Sequence, residues 1–124
     1  MQAEGSSKMR EIKFRAWDKI ADNWVQGESL TISTTGRLLN IPDNIDLMQY
    51  TGLKDRAEVE IYEGDIIRSY YQKGVVEYSL GTFGVQVTRD NFLSLLDIWD
   101  RGDGHKVEVL GNIYQNPELL EQKD

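Results

Sequence analysis

The chain has 124 residues, of which 40% are hydrophobic and 28% charged, values that fit a globular protein with one ordinary core or two small subdomains. It contains no cysteine, which excludes disulfides, thiolate catalysis and sulfur-ligated zinc, and no apolar run is long enough to span a membrane. The net charge of −7 disfavours nucleic acid as a partner, because phosphate groups repel a surface without clustered basic residues.

The N-terminal half predicts several short strands. Residues 1–8 are small and polar, and we interpret them as a disordered leader or a cloning remnant. From Arg10 to Trp17, apolar and charged side chains alternate in the pattern of a half-buried strand. Four further segments read as short strands bounded by turn residues: Asn23–Gln26, Leu30–Thr34, Arg37–Ile41 and Asp46–Thr51. The last of these is expected to stop at Gly52.

The clearest strand pattern covers residues 62–90. Three segments rich in β-branched and aromatic side chains are separated by turns: Gly64–Tyr71, Gly74–Tyr78 and Phe83–Thr88. Glycines at their corners allow a small, strongly bent sheet to turn without steric cost. The pattern is similar to that of SH3-like barrels, and we predict such a barrel here, continued by a last strand at Val107–Tyr114.

Two helices are predicted after these strands. Four apolar side chains recur at helical spacing: Phe92, Leu95, Leu96 and Trp99. They predict a helix near residues 90–100, with Asp90 as its cap. Asn116 followed by Pro117 predicts a short C-terminal helix, since proline is favoured at the first helical position.

The predicted fold is therefore mainly β, of a β-rich α+β class. After the leader, residues 9–61 form an N-terminal β-rich portion. Residues 62–124 form an SH3-like barrel portion with the helix and the C-terminal strand. The two portions can share one interface as a single compact unit.

The sequence predicts neither a catalytic nor a metal site. Asp97, Asp100 and Asp103 cluster with His105, but glycines stand where a calcium loop of the EF-hand type needs oxygen ligands. The chain has one histidine, so it cannot supply a two-histidine metal site, and a catalytic triad would depend on a single base in a charged turn. We interpret this cluster as a solvated turn and expect no enzymatic activity and no cofactor.

A candidate interaction surface lies on the predicted barrel. Tyr70 and Tyr71 point to opposite faces of a strand, so at least one is exposed or lies at an interface. Three basic residues are close in sequence: Arg68, Lys73 and Arg89. Exposed aromatic and basic groups can be buried in a subunit contact, or they can stack nucleic-acid bases as in some small barrels. Core packing is the ordinary role of such aromatics, and these alternatives stay open.

Four segments together resemble the YopX family of phage and prophage proteins in order and spacing: Arg10–Asp18, Leu47–Asp55, Ile61–Ile67 and Gly111–Leu120. The resemblance implies a phage or prophage gene, a β-rich fold and no established biochemical activity, and it supplies no catalytic residue. Residues 56–60 depart from the family pattern, where we expect an Asn-Gly type of turn. We interpret the matching residues as structural: Phe14, Arg15, Trp17, Asp18, Gln49, Tyr50, Gly52, Tyr62, Gly64, Asp65, Gly111, Asn112, Tyr114, Asn116 and Pro117.

One of these residues suggests how the two portions of the chain are joined. Arg15 can form a charge-assisted pair with Asp18 or with Asp65, and such a pair would fix the N-terminal strand against the barrel. Asn112 and Asn116 can satisfy local backbone groups. Structural roles for these residues favour a scaffold over an active site.

The functional prediction is a non-catalytic, cytoplasmic phage or prophage accessory protein that acts through protein–protein contacts. Its partner is a phage or host protein or a second copy of the chain, with a homo-oligomer expected. The alternative is a nucleic-acid-binding module that uses the barrel aromatics and basic residues. No membrane partner is expected.

Overall fold

The fold is known from a computed structural model, which describes residues 12–25, 31–32, 38–39, 42–69, 72–88, 91–95 and 107–121. Within these ranges the chain forms strands β1 (Phe14–Asp18), β2 (Asn23–Trp24), β3 (Thr31–Ile32), β4 (Leu38–Leu39), β5 (Ile45–Lys54), β6 (Glu60–Tyr62), β7 (Asp65–Ser69), β8 (Gln72–Ser79), β9 (Thr82–Thr88), β10 (Asn91–Ser94) and β11 (Glu108–Asn112). A 3-10 turn follows at Pro117–Leu120. The prediction of a mainly β chain is confirmed.

The strands form two antiparallel sheets. The first has the order β2-β1-β5-β6, and the second, a curled half-barrel, has the order β10-β9-β8-β7-β11. β3 and β4 pair with each other as a separate two-stranded unit. In the first sheet Phe14 lies opposite Gln49, and Trp17 lies opposite Trp24. Because side chains alternate between the faces of a strand, this register decides which of them meet between the two sheets.

The hydrophobic core lies against the second sheet and draws on both. Its buried side chains are aliphatic: Ile61, Ile67, Val76, Val85, Leu95 and Val107. Ile61 belongs to β6 of the first sheet, whereas Ile67, Val76 and Val85 come from three neighbouring strands of the second. Burying one such side chain stabilises a fold by about 1.5–3 kcal/mol, so this cluster holds the two sheets together.

Asp55 fixes the loop between β5 and β6 to β11. Its Oδ1 accepts the N–H groups of Ala57 at 2.8 Å and Val59 at 2.9 Å, and its Oδ2 accepts the N–H of Val109 at 2.9 Å. Burial raises the pKa of this carboxyl, but the three backbone hydrogen bonds outweigh that effect and leave the pKa below its ordinary value. Within this loop, where the sequence departs from the family pattern, Glu58 takes a φ of +67°, the conformation that Asn or Gly favours.

The helix predicted near residues 90–100 is wrong over Asn91–Ser94. These residues form β10, in which Phe92 lies opposite Gln86 and Leu93 opposite Val85. The register shifts at a bulge between Asn91 and Phe92, and Phe92, Leu93 and Ser94 then pair in regular order with β9. Pairing with β9 overrides that local pattern, and residues 96–100 lie outside the described residues.

Two smaller expectations also change. β5 does not stop at Gly52 but continues to Lys54, because Lys54 pairs with Glu60 of β6. The pairing is irregular between Tyr50 and Lys54, where Gly52 takes a φ of +89°. The short C-terminal helix is reduced to the 3-10 turn, with Pro117 in its first turn. Asn116 gives that turn no side-chain cap; its Oδ1 instead accepts the N–H of Asn112 at 3.2 Å. Division into portions at residues 61 and 62 stays a prediction.

In the part of the chain that the structure describes, no helix has the length and apolar character needed to cross a membrane.

Substitution of Gly84 tests whether β9 and β10 lie as close together as the structure shows. A Cβ at this position would lie 2.5 Å from the carbonyl oxygen of Leu93 and 2.7 Å from the ring of Phe92. We therefore expect Gly84→Ala to lower the free energy of unfolding, measured by urea denaturation, by about 2–4 kcal/mol.

The matched control is Gly74→Ala on the neighbouring strand. A Cβ there would meet Val85 at an ordinary contact distance of 3.4 Å, so we expect stability to change by less than about 1 kcal/mol. Equal losses in the two variants would contradict the register between β9 and β10.

Candidate functional site

Arg15 joins the two sheets by contacting three side chains, Trp24, Tyr62 and Asp65. We call these four residues the arginine clasp. The Arg15 guanidinium carbon lies 4.7 Å from the ring centre of Trp24 and 4.6 Å from that of Tyr62. Its Nη2 donates to Asp65 Oδ1 at 2.6 Å and to the carbonyl oxygen of Glu63 at 3.3 Å. Arg15 belongs to the first sheet and Asp65 begins β7 of the second, so Asp65 is the partner that Arg15 uses.

Because Asp65 is buried, the stability of the clasp depends on the positive charge of Arg15. The residue is 2% exposed, and burial raises the pKa of its carboxyl. The N–H of Tyr62, which donates to Oδ2 at 2.8 Å, and the charge of Arg15 lower this pKa but do not outweigh burial. Arg15 Nε is itself buried without a hydrogen-bond partner among the described residues. Stacking on two aromatic faces offsets part of that lost hydration.

A second layer of aromatic rings extends the clasp toward the C-terminal segment. The ring centres of Trp17 and Trp24 lie 4.9 Å apart in an edge-to-face contact, and Trp17 stacks on Tyr114 at 5.5 Å. The Tyr114 hydroxyl donates to Asp46 at 2.5 Å. Burial, together with this hydrogen bond, raises the pKa of Tyr114 to about 12. The segment after β11 is thus tied to the first sheet.

Other family-motif residues hold turns. Asp18 Oδ1 accepts the N–H groups of Ile20 and Ala21, each at 3.0 Å, and the amide of Asn44 at 2.8 Å. The hydrogen bond from Ala21, followed by that from Asn44, lowers the pKa of Asp18. Asp18 therefore organises the turn between β1 and β2 rather than pairing with Arg15.

Two glycines of the motif leave room for neighbouring side chains, and an asparagine of the motif holds a turn. Gly64 has a φ of +85°, and a Cβ there would lie 3.1 Å from the sulfur of Met48. A Cβ on Gly111 would overlap the side chain of Asn116. Asn112 is buried, and its Oδ1 accepts two backbone N–H groups of the following turn. The family-motif segments thus converge where the two sheets meet.

The predicted interaction surface falls only partly on described residues. Tyr70, Tyr71 and Arg89 lie outside them. Arg68 on β7 has Lys73 of β8 opposite it on one side and Glu108 of β11 on the other. Because opposing residues on neighbouring strands share a face, Glu108 offsets part of the positive charge of this row.

A cleft that the sequence did not indicate lies between the two sheets, with a volume of about 590 Å³. β5 contributes Gln49, Thr51 and Leu53 to its lining, and the residues around the β8–β9 turn contribute Tyr78 and Phe83. Among the described residues of this lining, Glu63, from the turn before β7, is the one acidic or basic side chain. We call this space the hairpin cleft.

The β8–β9 turn presents exposed apolar side chains beside the hairpin cleft. Tyr78 is 58% exposed, and its ring meets that of Phe83 edge to face at 5.0 Å. Leu80 is 87% exposed and has a φ of +55°, in the left-handed region where Gly and Asn are favoured. The signal was present in the sequence, since Leu80-Gly81 stands where Asn-Gly is the usual hairpin pair. An exposed leucine in a strained turn does not favour the stability of the isolated chain.

Among the described residues, no group of three or more histidine or acidic side chains is placed to hold a metal ion. The acidic turn that contains Asp97, Asp100, Asp103 and His105 lies outside those residues.

The clasp predicts a large cost for losing its cation. Arg15→Met keeps an apolar stem between the two rings but leaves Asp65 buried without a positive partner. We expect the free energy of unfolding at neutral pH to fall by about 3–5 kcal/mol, measured by urea denaturation. Adding Asp65→Asn to this variant should recover part of the loss, because no buried charge then remains.

The raised pKa of Asp65 determines how its contribution to the free energy of unfolding changes with pH. A group with a raised pKa in the folded state favours folding at low pH and loses that contribution as pH rises through the folded pKa. Arg15 opposes the rise in the pKa of Asp65, so Arg15→Met should raise that pKa further. The difference in free energy of unfolding between wild type and Arg15→Met should therefore narrow as the solution is acidified. Arg56→Met, at an exposed position, is the control and should change stability little. A loss in Arg15→Met no larger than in this control would contradict the clasp.

Comparison with known proteins gives a family and one solved structure of similar fold. The sequence model of the YopX family, described as YopX protein, matches residues 34–121, which include three of the four motif segments. No curated protein matches the chain. The crystal structure of protein EF1440 from Enterococcus faecalis has a TM-score of 0.62 at 23% sequence identity, covering 90% of this chain and 99% of that chain, a likeness that concerns the fold alone. Because the family match spans most of the sequence, the chain belongs to the YopX family.

Proposed function

We propose that this chain is a non-catalytic accessory protein of a phage or prophage, located in the cytoplasm, that binds a protein partner through the hairpin cleft and the exposed β8–β9 turn. One observation carries the proposal: Leu80 is held exposed in a left-handed conformation next to Tyr78 and the cleft. Strained backbone and clustered exposed apolar groups occur together at surfaces that bind partners.

The order of the second sheet supports a finer proposal about its architecture. Strands β7 to β10 pair each with the next, and β11 returns to pair with β7. We propose that this sheet is an SH3-like small barrel. Proteins of that class receive protein segments in grooves lined by aromatic side chains, as Tyr78 and Phe83 line the hairpin cleft.

Charge favours a protein over a nucleic acid as the partner. The chain carries a net charge of −7, and the charged group that lines the hairpin cleft is the carboxylate of Glu63. On the predicted surface, Arg68 has the acidic side chain of Glu108 opposite it. Phosphate groups would meet repulsion at these places.

The strain at the turn can be measured without knowing the partner. Asn adopts a positive φ more readily than Leu, so we expect Leu80→Asn to raise the free energy of unfolding by about 0.5–1 kcal/mol. Leu80→Ala removes the exposed side chain but keeps a residue disfavoured at this φ, and should be less stable than Leu80→Asn. Urea denaturation of the three proteins measures both differences. If Leu80→Asn were no more stable than Leu80→Ala, the turn would not be strained.

Binding is tested with a variant that changes the turn and spares the core. Tyr78→Ser with Leu80→Asn removes the two exposed side chains, and Ile20→Ser is the control, since Ile20 is 82% exposed in the turn between β1 and β2. Light scattering at about 0.1 M and about 1 M salt, which differ strongly in screening, measures self-association. Affinity capture from phage-infected or prophage-bearing cells, followed by binding of the purified candidate, measures a second protein.

We expect wild type and Ile20→Ser to form the same complex, with a second copy or with another protein, and the double variant to lose it. A complex that persists in the double variant would overturn the proposal. Binding that is removed by nuclease and falls steeply with salt would replace it with nucleic-acid recognition.

A further inference from the structure

We infer that the hairpin cleft receives a basic side chain, arginine or lysine, from an extended segment of the protein partner. This inference rests on the proposed function and specifies the chemistry of the partner. It follows from the placement of Glu63, from the commitment of nearby cations to other acids, and from the apolar side chains that surround the carboxylate.

Glu63 is a fixed anion at the cleft. Its Oε1 accepts the N–H of Gln49 at 2.8 Å, and its own N–H donates to the Gln49 carbonyl at 3.0 Å. A carboxylate offers about four acceptor positions, so this hydrogen bond occupies one of them and orients the rest. A cation that enters the cleft meets a negative charge already held in place, which lowers the entropy lost on binding.

The basic side chains of Arg15 and Lys13 are paired with other carboxylates. Arg15 donates to Asp65 within the arginine clasp. Lys13 forms an ion pair with Glu60. The hydrogen bond from Lys13, with a smaller contribution from the charge of Lys54, lowers the pKa of Glu60. No basic side chain is found among the described residues that line the cleft, so the charge of Glu63 is left for a partner.

The rest of the lining suits the long stem of a basic side chain. Leu53 and Phe83 offer apolar surface, and arginine and lysine bury their methylene groups against such surface while the charged end pairs with an anion. Tyr78 adds an exposed ring face that attracts cations. A volume of about 590 Å³ lies within the range of small-ligand pockets and admits one side chain with its backbone.

Beyond the cleft, the exposed Leu80 provides a contact for an apolar residue that flanks the basic one in an extended segment. A second copy of this chain fits less well, because two chains that each carry a net charge of −7 repel each other. The favoured occupant is therefore a basic segment of a different protein.

The test is an NMR titration of the isotope-labelled chain with N-acetyl-arginine amide. N-acetyl-citrulline amide, which has nearly the same shape without the charge, and N-acetyl-leucine amide are titrated in parallel at matched ionic strength. We expect the arginine compound to shift the amide signals of Gln49, Thr51, Leu53 and Thr82 with millimolar affinity, and the citrulline compound to bind at least about threefold more weakly.

Two variants locate the charge responsible. Glu63→Gln keeps an acceptor for the Gln49 N–H but removes the charge, and it should weaken the arginine compound by about threefold to tenfold. Glu77→Gln removes the same charge from an exposed position on β8 that does not line the cleft, and should leave the affinity unchanged.

The outcomes separate this inference from the proposed function. Equal binding of the arginine, citrulline and leucine compounds at the cleft would overturn the inference while leaving a protein-binding cleft in place. Absence of cleft shifts with all three would also overturn it, and the Tyr78 and Leu80 double variant would then decide the proposed function alone. If Glu63→Gln and Glu77→Gln weakened the binding of the arginine compound equally, the binding would reflect general electrostatic attraction, and the inference would be overturned.

Discussion

The ion pair between Arg15 and Asp65 fixes the first sheet against the second, and the rings of Trp24 and Tyr62 pack on its guanidinium group. A buried ion pair adds little net stability by itself, because the attraction must first offset the loss of hydration of both groups. Removing one partner is nevertheless costly, since the other is left as a buried charge. The pair therefore acts mainly through specificity: arrangements that separate β1 from β7 leave a charge without a partner.

The hairpin cleft follows from the same junction of the two sheets. β5 is hydrogen-bonded to β1 in the first sheet, and its second half, with Gly52 at a φ of +89°, continues past the clasp to line the cleft. The turn that supplies Asp65 to the clasp also supplies Glu63 to the cleft, two residues earlier in the chain. The interaction that aligns the sheets thus also sets the position of the charge proposed to bind a partner. A binding surface built between two sheets needs this rigid alignment, because its affinity depends on groups that are placed before the partner arrives.

The sequence predicted the parts of this fold that depend on local pattern. Alternation predicted β1, and the β-branched runs predicted β7, β8 and β9, because strand side chains report directly which face is buried. Pairing between elements was less accessible. Arg15 had two acidic candidates that the sequence could not separate, and Asn91–Ser94 form a strand because β9 offers them a partner, although their apolar spacing favours a helix. The cleft was missed because its lining comes from segments far apart in the chain, none of which has an unusual composition. Leu80 did leave a readable signal, an apolar residue where a hairpin turn favours Asn.

Native-state amide hydrogen exchange of Arg15→Lys, compared with wild type, shows whether the clasp holds the two sheets in one arrangement. Lysine keeps the positive charge but lacks the planar group that stacks between two rings while pairing with Asp65. If the clasp holds the sheets in one arrangement, β5 in the first sheet and β7 and β8 in the second will lose protection together, because they open as one cooperative unit. Loss of protection confined to β1 and β2, with β7 and β8 unchanged, would contradict the account and show that the second sheet is held without the clasp.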